Sequence, residues 1–297
     1  MIRQNINSDL LDQVVAGAVE DIWYHYGISS REPLLQKMRN VEAVIIAGSG
    51  ERTDEFARHW SVRRQAPLLA LPRQDRFVFR YVDKVIFSSH GMGMPSAAIA
   101  LQELMKMVYF LKDGDLTALD NVFWMRVGTS GGLGVPPGTV VISQEALQTD
   151  MKPYRLLNRG QEYYFDARFP SAPSAALMTI AARLGIAAVA GRTVGSNDFY
   201  LEQGRCDGAV SLISEKEKDV WLRALYRQGV TNIEMETPMV AGLLNHWGFP
   251  RFAAACAVIV DRLQGDQVIS PRAELLKYVE NAERLLWGYL EETISSQ

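Results

Sequence analysis

The run 252–261, FAAACAVIVD, is ten residues of almost unbroken and mostly small apolar character. A stretch with no polar face reads as a fully buried strand, which needs cover on both sides. The rest of the chain offers that cover. Strand-like runs at 41–48 and 187–196 alternate with helical patterns at 51–60, 95–111, 174–185, 214–229 and 270–294. Residues 76–95 read as a hairpin around Val82 and Asp83, ending in the turn Gly91-Met92-Gly93. Strands at 122–127 and 139–143 flank a glycine-rich turn, GTSGGLGVPPG. This alternation predicts an α/β fold, a three-layer α/β/α sandwich on a central mixed β-sheet. No repeat of fixed period and no Pro/Ser/Gly-rich linker interrupts it, so residues 1–297 are expected to form one domain.

With 297 residues and 48% hydrophobic content, the chain can bury a full core. Its net charge of −3 argues against a nucleic-acid partner, because phosphate-neutralising surfaces are basic. Two cysteines, Cys206 and Cys256, provide neither a disulfide framework nor a metal cluster, and a reducing compartment fits them. The N-terminal stretch MIRQNINSDLLDQ is polar and acidic, unlike a secretory leader. No apolar run reaches the ~18–20 residues that span a bilayer. The expectation is a soluble, cytoplasmic protein with no membrane partner.

The stretch 122–135, VFWMRVGTSGGLGV, drives an apolar run into one arginine and several glycines. It lacks the G-x-G-x-x-G spacing of a dinucleotide site, the G-x-S-x-G of a hydrolase elbow and the Walker pattern. A free phosphate suits it better. Backbone N–H groups at strand-to-helix turns point at anions, and a guanidinium grips oxygens in a bidentate fork. Two turns read this way: Gly48 with Arg52, and Arg126 with Thr129. Arg58, Arg63 and Arg64 read as surface charges.

RVGTSGG followed by GTVVIS, with HGMGMPS, DFYLEQGR, NIEMET and DRLQGDQ, resembles the uridine phosphorylases of the nucleoside phosphorylase family, in their eukaryotic form. Order and spacing match from about Asp21 to the closing helix. The resemblance implies a nucleoside phosphorylase-like fold and a reversible phosphorolysis of uridine to uracil and ribose 1-phosphate in pyrimidine salvage. Phosphate is then a co-substrate, and neither metal nor organic cofactor is needed. It also implies a homodimer with shared active sites.

By the same resemblance, Gly48, Arg52, Arg126 and Thr129 hold phosphate, with Arg76 arriving from the neighbouring subunit. Glu236 takes the ribose hydroxyls, Met235 packs on the sugar and Glu234 supports them. His25 reaches the 5′-hydroxyl across the dimer interface. Gln203 and Arg205 read the base and Phe199 stacks on it. Arg126, Gln203 and Arg205 carry catalysis. An amide offers both donor and acceptor to a pyrimidine edge, and a carboxylate offers two acceptors to a diol.

Two departures stand out. Asp261 occupies a position where the resembled enzymes carry asparagine and purine-cleaving relatives carry aspartate. Its plainer reading is a partner of Arg262 or a cap on the turn after the strand. Residues 111–121, LKDGDLTALDN, read as a surface loop insertion. Isolated from its context, Glu234-Met235-Glu236 reads more readily as a solvated helix start, and the matching motifs around it reverse that. A purine-tolerant phosphorylase, a nucleosidase and a non-catalytic nucleoside-binding paralogue are the alternatives.

Overall fold

A computed structural model describes residues 7–72 and 76–294. The first six residues of the polar N-terminal stretch, and Asp75 before Arg76, lie outside the described residues. The chain divides into two compact units: residues 1–125, 246–252 and 294–297, and residues 126–245 and 253–293.

In the first unit, α1 (Ser8–Val15) packs on α3 (Met94–Leu111), and β1 (Ile22–Trp23) pairs antiparallel with β2 (Ile28–Ser29). Its sheet has the order β3-β6-β5-β4: β3 (Ala43–Ala47), β6 (Val85–Ser89), β5 (Phe79–Val82) and β4 (Leu69–Ala70). β3 runs parallel to β6, and the other pairings are antiparallel. Helix α2 (Gly50–Arg64) lies against this sheet with Phe56 and Trp60 buried. In α3, Leu101, Leu104, Met105 and Val108 recur at helical spacing and are buried.

The second unit takes up β7 (Phe123–Gly132) from Arg126 onward, and β8 (Val140–Gln148), β11 (Ala188–Gly195), β12 (Val230–Glu234) and β13 (Phe252–Asp261) follow. Their order is β12-β11-β8-β13-β7, and β12 also pairs with β7, so five strands close on themselves. β11 is parallel to both β8 and β12, while β13 is antiparallel to β8. Helices α5 (Ser171–Leu184) and α8 (Arg272–Thr293) pack together, and both lie on β8. Helix α6 (Glu215–Arg227) starts at a capping box between Ser214 and Glu217 and seats Leu222 and Leu225 beside Val230 and Ile233. In each unit the strand pairing is mixed and helix-flanked, as the alternation predicts.

Several expectations change. The stretch GTSGG is not a turn: β7 continues through Gly132, and the chain bends only from Leu133. Its glycines make room rather than bends. A Cβ on Gly131 would sit 2.6 Å from Arg262 Cδ, and one on Gly132 would sit 2.6 Å from the Val135 carbonyl oxygen. Arg126 and Thr129 therefore lie within a strand and not at a strand-to-helix turn. The hairpin turns at Asp83 and Lys84, one residue later than read, with φ of 38° and 68°. Arg64 is not a surface charge, since its Nε meets the buried Asp83 carboxylate at 2.5 Å. Residues 111–121 contain a short helix, α4 (Leu116–Asp120), capped by Asp115 and anchored by the buried Leu119. The sequence reading had no place for α7 (Thr237–Trp247) or for the hairpin of β9 (Tyr154–Asn158) and β10 (Gln161–Phe165). Among the described residues, no helix is long and apolar enough to cross a membrane.

Candidate active site

Arg126 is 3% exposed on β7, in the second unit. Its Nη2 lies 2.9 Å from Glu234 Oε2 and also bonds Glu236. Its Nη1 donates to Thr237 Oγ1 at 3.2 Å and to Cys256 Sγ at 2.9 Å, while the buried Nε has no protein partner. Gly128, on the same face of the strand two residues on, creates the space. A Cβ there would lie 2.9 Å from Arg126 Nη1.

The two acids sit where β12 ends and α7 begins. Glu234 accepts the backbone N–H of Glu236 at 2.9 Å and that of Thr237 at 2.9 Å, so it caps the helix. Glu234 and Glu236 are 4% and 5% exposed, which rules out a solvated helix start, and Met235 between them is half-buried. Burial opposes the Arg126 charge, but Glu234 foremost, then Cys256 and Glu236, hold the guanidinium firmly protonated. Burial likewise pushes the Glu234 carboxyl up, against the pull of Arg126. The Cys256 thiol is pushed up to about 11, chiefly by burial.

A second cluster adjoins the first through Ser196. Gln203, 3% exposed, donates from Nε2 to Ser196 Oγ at 3.0 Å. Ser196 in turn donates its backbone N–H to the Glu234 carbonyl at 3.0 Å. Arg205 is buried and its guanidinium lies 4.2 Å from the centre of the Phe199 ring, a cation–π contact. Arg205 Nη1 reaches the Asp266 carbonyl at 3.3 Å and Asp207 at 3.4 Å, and its buried Nε has no protein partner. Phe199 is 40% exposed, so one face of this cluster is open.

Asp261 accepts the backbone N–H of Gly134 at 2.9 Å and of Leu263 at 3.1 Å. It caps the turn after β13 and does not pair with Arg262, whose Nε goes to Asp266 at 2.7 Å. Thr129 is half-buried on β7, and its neighbour Ser130 accepts from Asn232 Nδ2 at 2.9 Å.

In the first unit, Gly48 directly follows β3 and Arg52 stands in the first turn of α2, where Ser49 Oγ accepts the Arg52 N–H at 3.2 Å. A Cβ on Gly48 would meet its nearest protein atom, the Gly91 carbonyl oxygen, at an ordinary 3.5 Å. His25 and Arg76 lie together: the Arg76 N–H donates to the His25 carbonyl at 3.3 Å. The His25 imidazole bonds Glu103 Oε1 through Nδ1 at 2.6 Å, and Arg76 is exposed.

Ser196 and Glu103 escaped the sequence reading, while Gly128 and Thr237 lay inside RVGTSGG and NIEMET without being given a role. Among the described residues, no group of three or more His, Cys, Asp or Glu is placed to hold a metal ion.

This chain belongs to the phosphorylase superfamily, whose family model matches residues 42–291. It is 32% identical to mouse uridine phosphorylase 1 over 290 residues, 94% of this chain and 91% of that one. It is also 32% identical to a Schistosoma mansoni protein named inactive uridine phosphorylase B, with 92% of each covered. The structure of Schistosoma mansoni uridine phosphorylase in complex with uracil superposes with a TM-score of 0.87 at 31% identity, covering 97% of this chain and 98% of that one.

Proposed function

We propose that the protein catalyses the reversible phosphorolysis of uridine to uracil and ribose 1-phosphate, a pentosyl transfer in pyrimidine salvage. Inorganic phosphate is the co-substrate, and neither metal nor organic cofactor takes part. The observation that carries this reading is the bridge at Ser196, which couples Gln203 to the buried Glu234 strand end. With one Nε2 hydrogen given to Ser196, the Gln203 amide keeps its carbonyl oxygen and a second N–H for a pyrimidine's N3–H and carbonyl. Arg205 bonds the other carbonyl and stabilises the charge that gathers on the departing base, while Phe199 stacks on the ring.

Glu236 takes the ribose hydroxyls, Met235 lies on the sugar's apolar face, and Glu234 holds both through the α7 cap. Gly48, Arg52, Arg76, Arg126 and Thr129 are assigned to phosphate, and His25 to the 5′-hydroxyl. The working unit is proposed to be a homodimer in which His25 and Arg76 serve the neighbouring site, and the shared position of these two residues supports that. A cytoplasmic location fits the two free cysteines.

A second reading is a non-catalytic nucleoside binder, favoured by the equal similarity to a relative named inactive. Product analysis over uridine, deoxyuridine, thymidine and inosine, with phosphate present, separates the readings. Ribose 1-phosphate from uridine, with little from inosine, supports the proposal. Uridine binding without any product supports the second reading, and free ribose as product indicates a nucleosidase.

A further inference from the structure

We propose that Asp266 is a positioning residue for base recognition, acting through Arg262 and Arg205 on the residues that read the pyrimidine. This rests on the reading of Gln203 and Arg205 given above. Asp266 is 8% exposed and gathers three cations. Its Oδ1 accepts Arg262 Nε at 2.7 Å, its Oδ2 accepts Lys218 Nζ at 2.8 Å, and its carbonyl accepts Arg205 Nη1 at 3.3 Å. Arg262 then passes the constraint on, because its Nη2 donates to the Gln203 backbone carbonyl at 2.8 Å. One residue thus fixes the guanidinium of Arg205 directly and the backbone of Gln203 at one remove.

The electrostatics explain why the residue must be charged. Arg262 is deeply buried, and burial together with the neighbouring Arg205 charge works against its protonated form, while Asp266 favours it. Without the carboxylate, two buried guanidinium groups face each other with only Asp207, 3.4 Å from Arg205 Nη1, to offset them, and Arg205 moves toward solvent. Burial pushes the Asp266 carboxyl up, but the bonds from Arg262 and Lys218 outweigh it and leave the group below the usual carboxylate range. Lys218 differs in kind. It ties α6 to Asp266 and Glu215 and makes no hydrogen bond to Gln203 or Arg205.

The test is steady-state kinetics of the full-length protein with uridine and phosphate varied separately, alongside thermal unfolding. Asp266→Asn is expected to raise KM for uridine at least tenfold and leave KM for phosphate within about twofold. Lys218→Met is expected to lower Tm and leave KM for uridine within about threefold. A merely structural Asp266 would lower the active fraction, and with it kcat, without separating the two KM values. Should Asp266→Asn not fold, Arg262→Lys carries the test: it keeps the charge facing Asp266 and loses the bond to the Gln203 carbonyl. It should raise KM for uridine at least fivefold with that for phosphate unchanged. Unchanged uridine KM in the folded variant, or equal rises for both substrates, overturns the proposal. Wild-type protein that neither cleaves uridine nor binds uracil overturns instead the functional reading beneath it.

Discussion

Gln203 and Ser196 are joined by a 3.0 Å hydrogen bond between Nε2 and Oγ, and Ser196 is itself pinned to the Glu234 carbonyl. This chain of contacts orients a buried amide whose remaining donor and acceptor have no hydrogen-bond partner among the described residues. Gln203→Leu leaves the pyrimidine's polar edge unpaired, at about 1–3 kcal/mol for each group. Its kcat/KM for uridine is expected to fall by ten- to a hundredfold or more, at ~1.4 kcal/mol per decade. Ser196→Ala removes one orienting bond, worth about 0.5–1.5 kcal/mol, and should fall only two- to tenfold. Equal activity in Gln203→Leu and wild type would remove the base-reading role.

Arg126 has four polar partners and one adjacent glycine. Lysine places one charge where a fork is needed, so Arg126→Lys is expected to lose about two orders of magnitude in kcat/KM, or ~2–4 kcal/mol of transition-state stabilisation. Gly128→Ala puts a methyl within 2.9 Å of the pinned guanidinium. It should cost at least tenfold in activity with the fold retained by circular dichroism. Normal turnover in Gly128→Ala would mean that the seat of the Arg126 guanidinium is not critical.

The Asp266 carboxyl, held below its usual range, also sets a pH dependence. Its contribution to stability is complete above the unfolded value of about 3.9 and is lost as pH falls through the lower folded value. The gap in Tm between wild type and Asp266→Asn should therefore be widest near neutral pH and narrow below about pH 4. A gap constant from pH 7 to pH 3 would contradict this.

The proposed dimer can be tested by complementation. His25→Ala and Arg126→Ala chains, each inactive alone, should recover part of the activity when mixed, because one hybrid site is intact. No recovery after verified subunit exchange would place His25 in its own chain's site.

Legibility in the sequence followed local physics. Phe252–Asp261 is a strand at the boundaries read, because an apolar run ending in a capping aspartate leaves no other choice. Helix α6 was legible from its charged first turn, and the structure starts it at the Ser214–Glu217 capping box. The stretch GTSGG misled, since glycine signals both bends and close packing, and only the side chains of Arg126, Arg262 and Val258 show which applies. Helix α7, buried over most of its surface, offered no amphipathic period, and the β9–β10 hairpin mixes exposed tyrosines with charges. In the site, residue types and motif order named Arg126, Glu234, Glu236, Gln203 and Arg205. Ser196 meets Gln203 seven residues away, and Asp266 meets Lys218 and Arg205 48 and 61 residues away, contacts that no local pattern encodes.

The central claim is phosphate-dependent cleavage of uridine, and its most direct measurement is uracil release by the purified protein as phosphate is titrated from zero. The account predicts negligible release without phosphate, a saturable rise with it, and ribose 1-phosphate formed in equal amount to uracil. Release that is independent of phosphate, or no release at saturating phosphate and uridine, would contradict it.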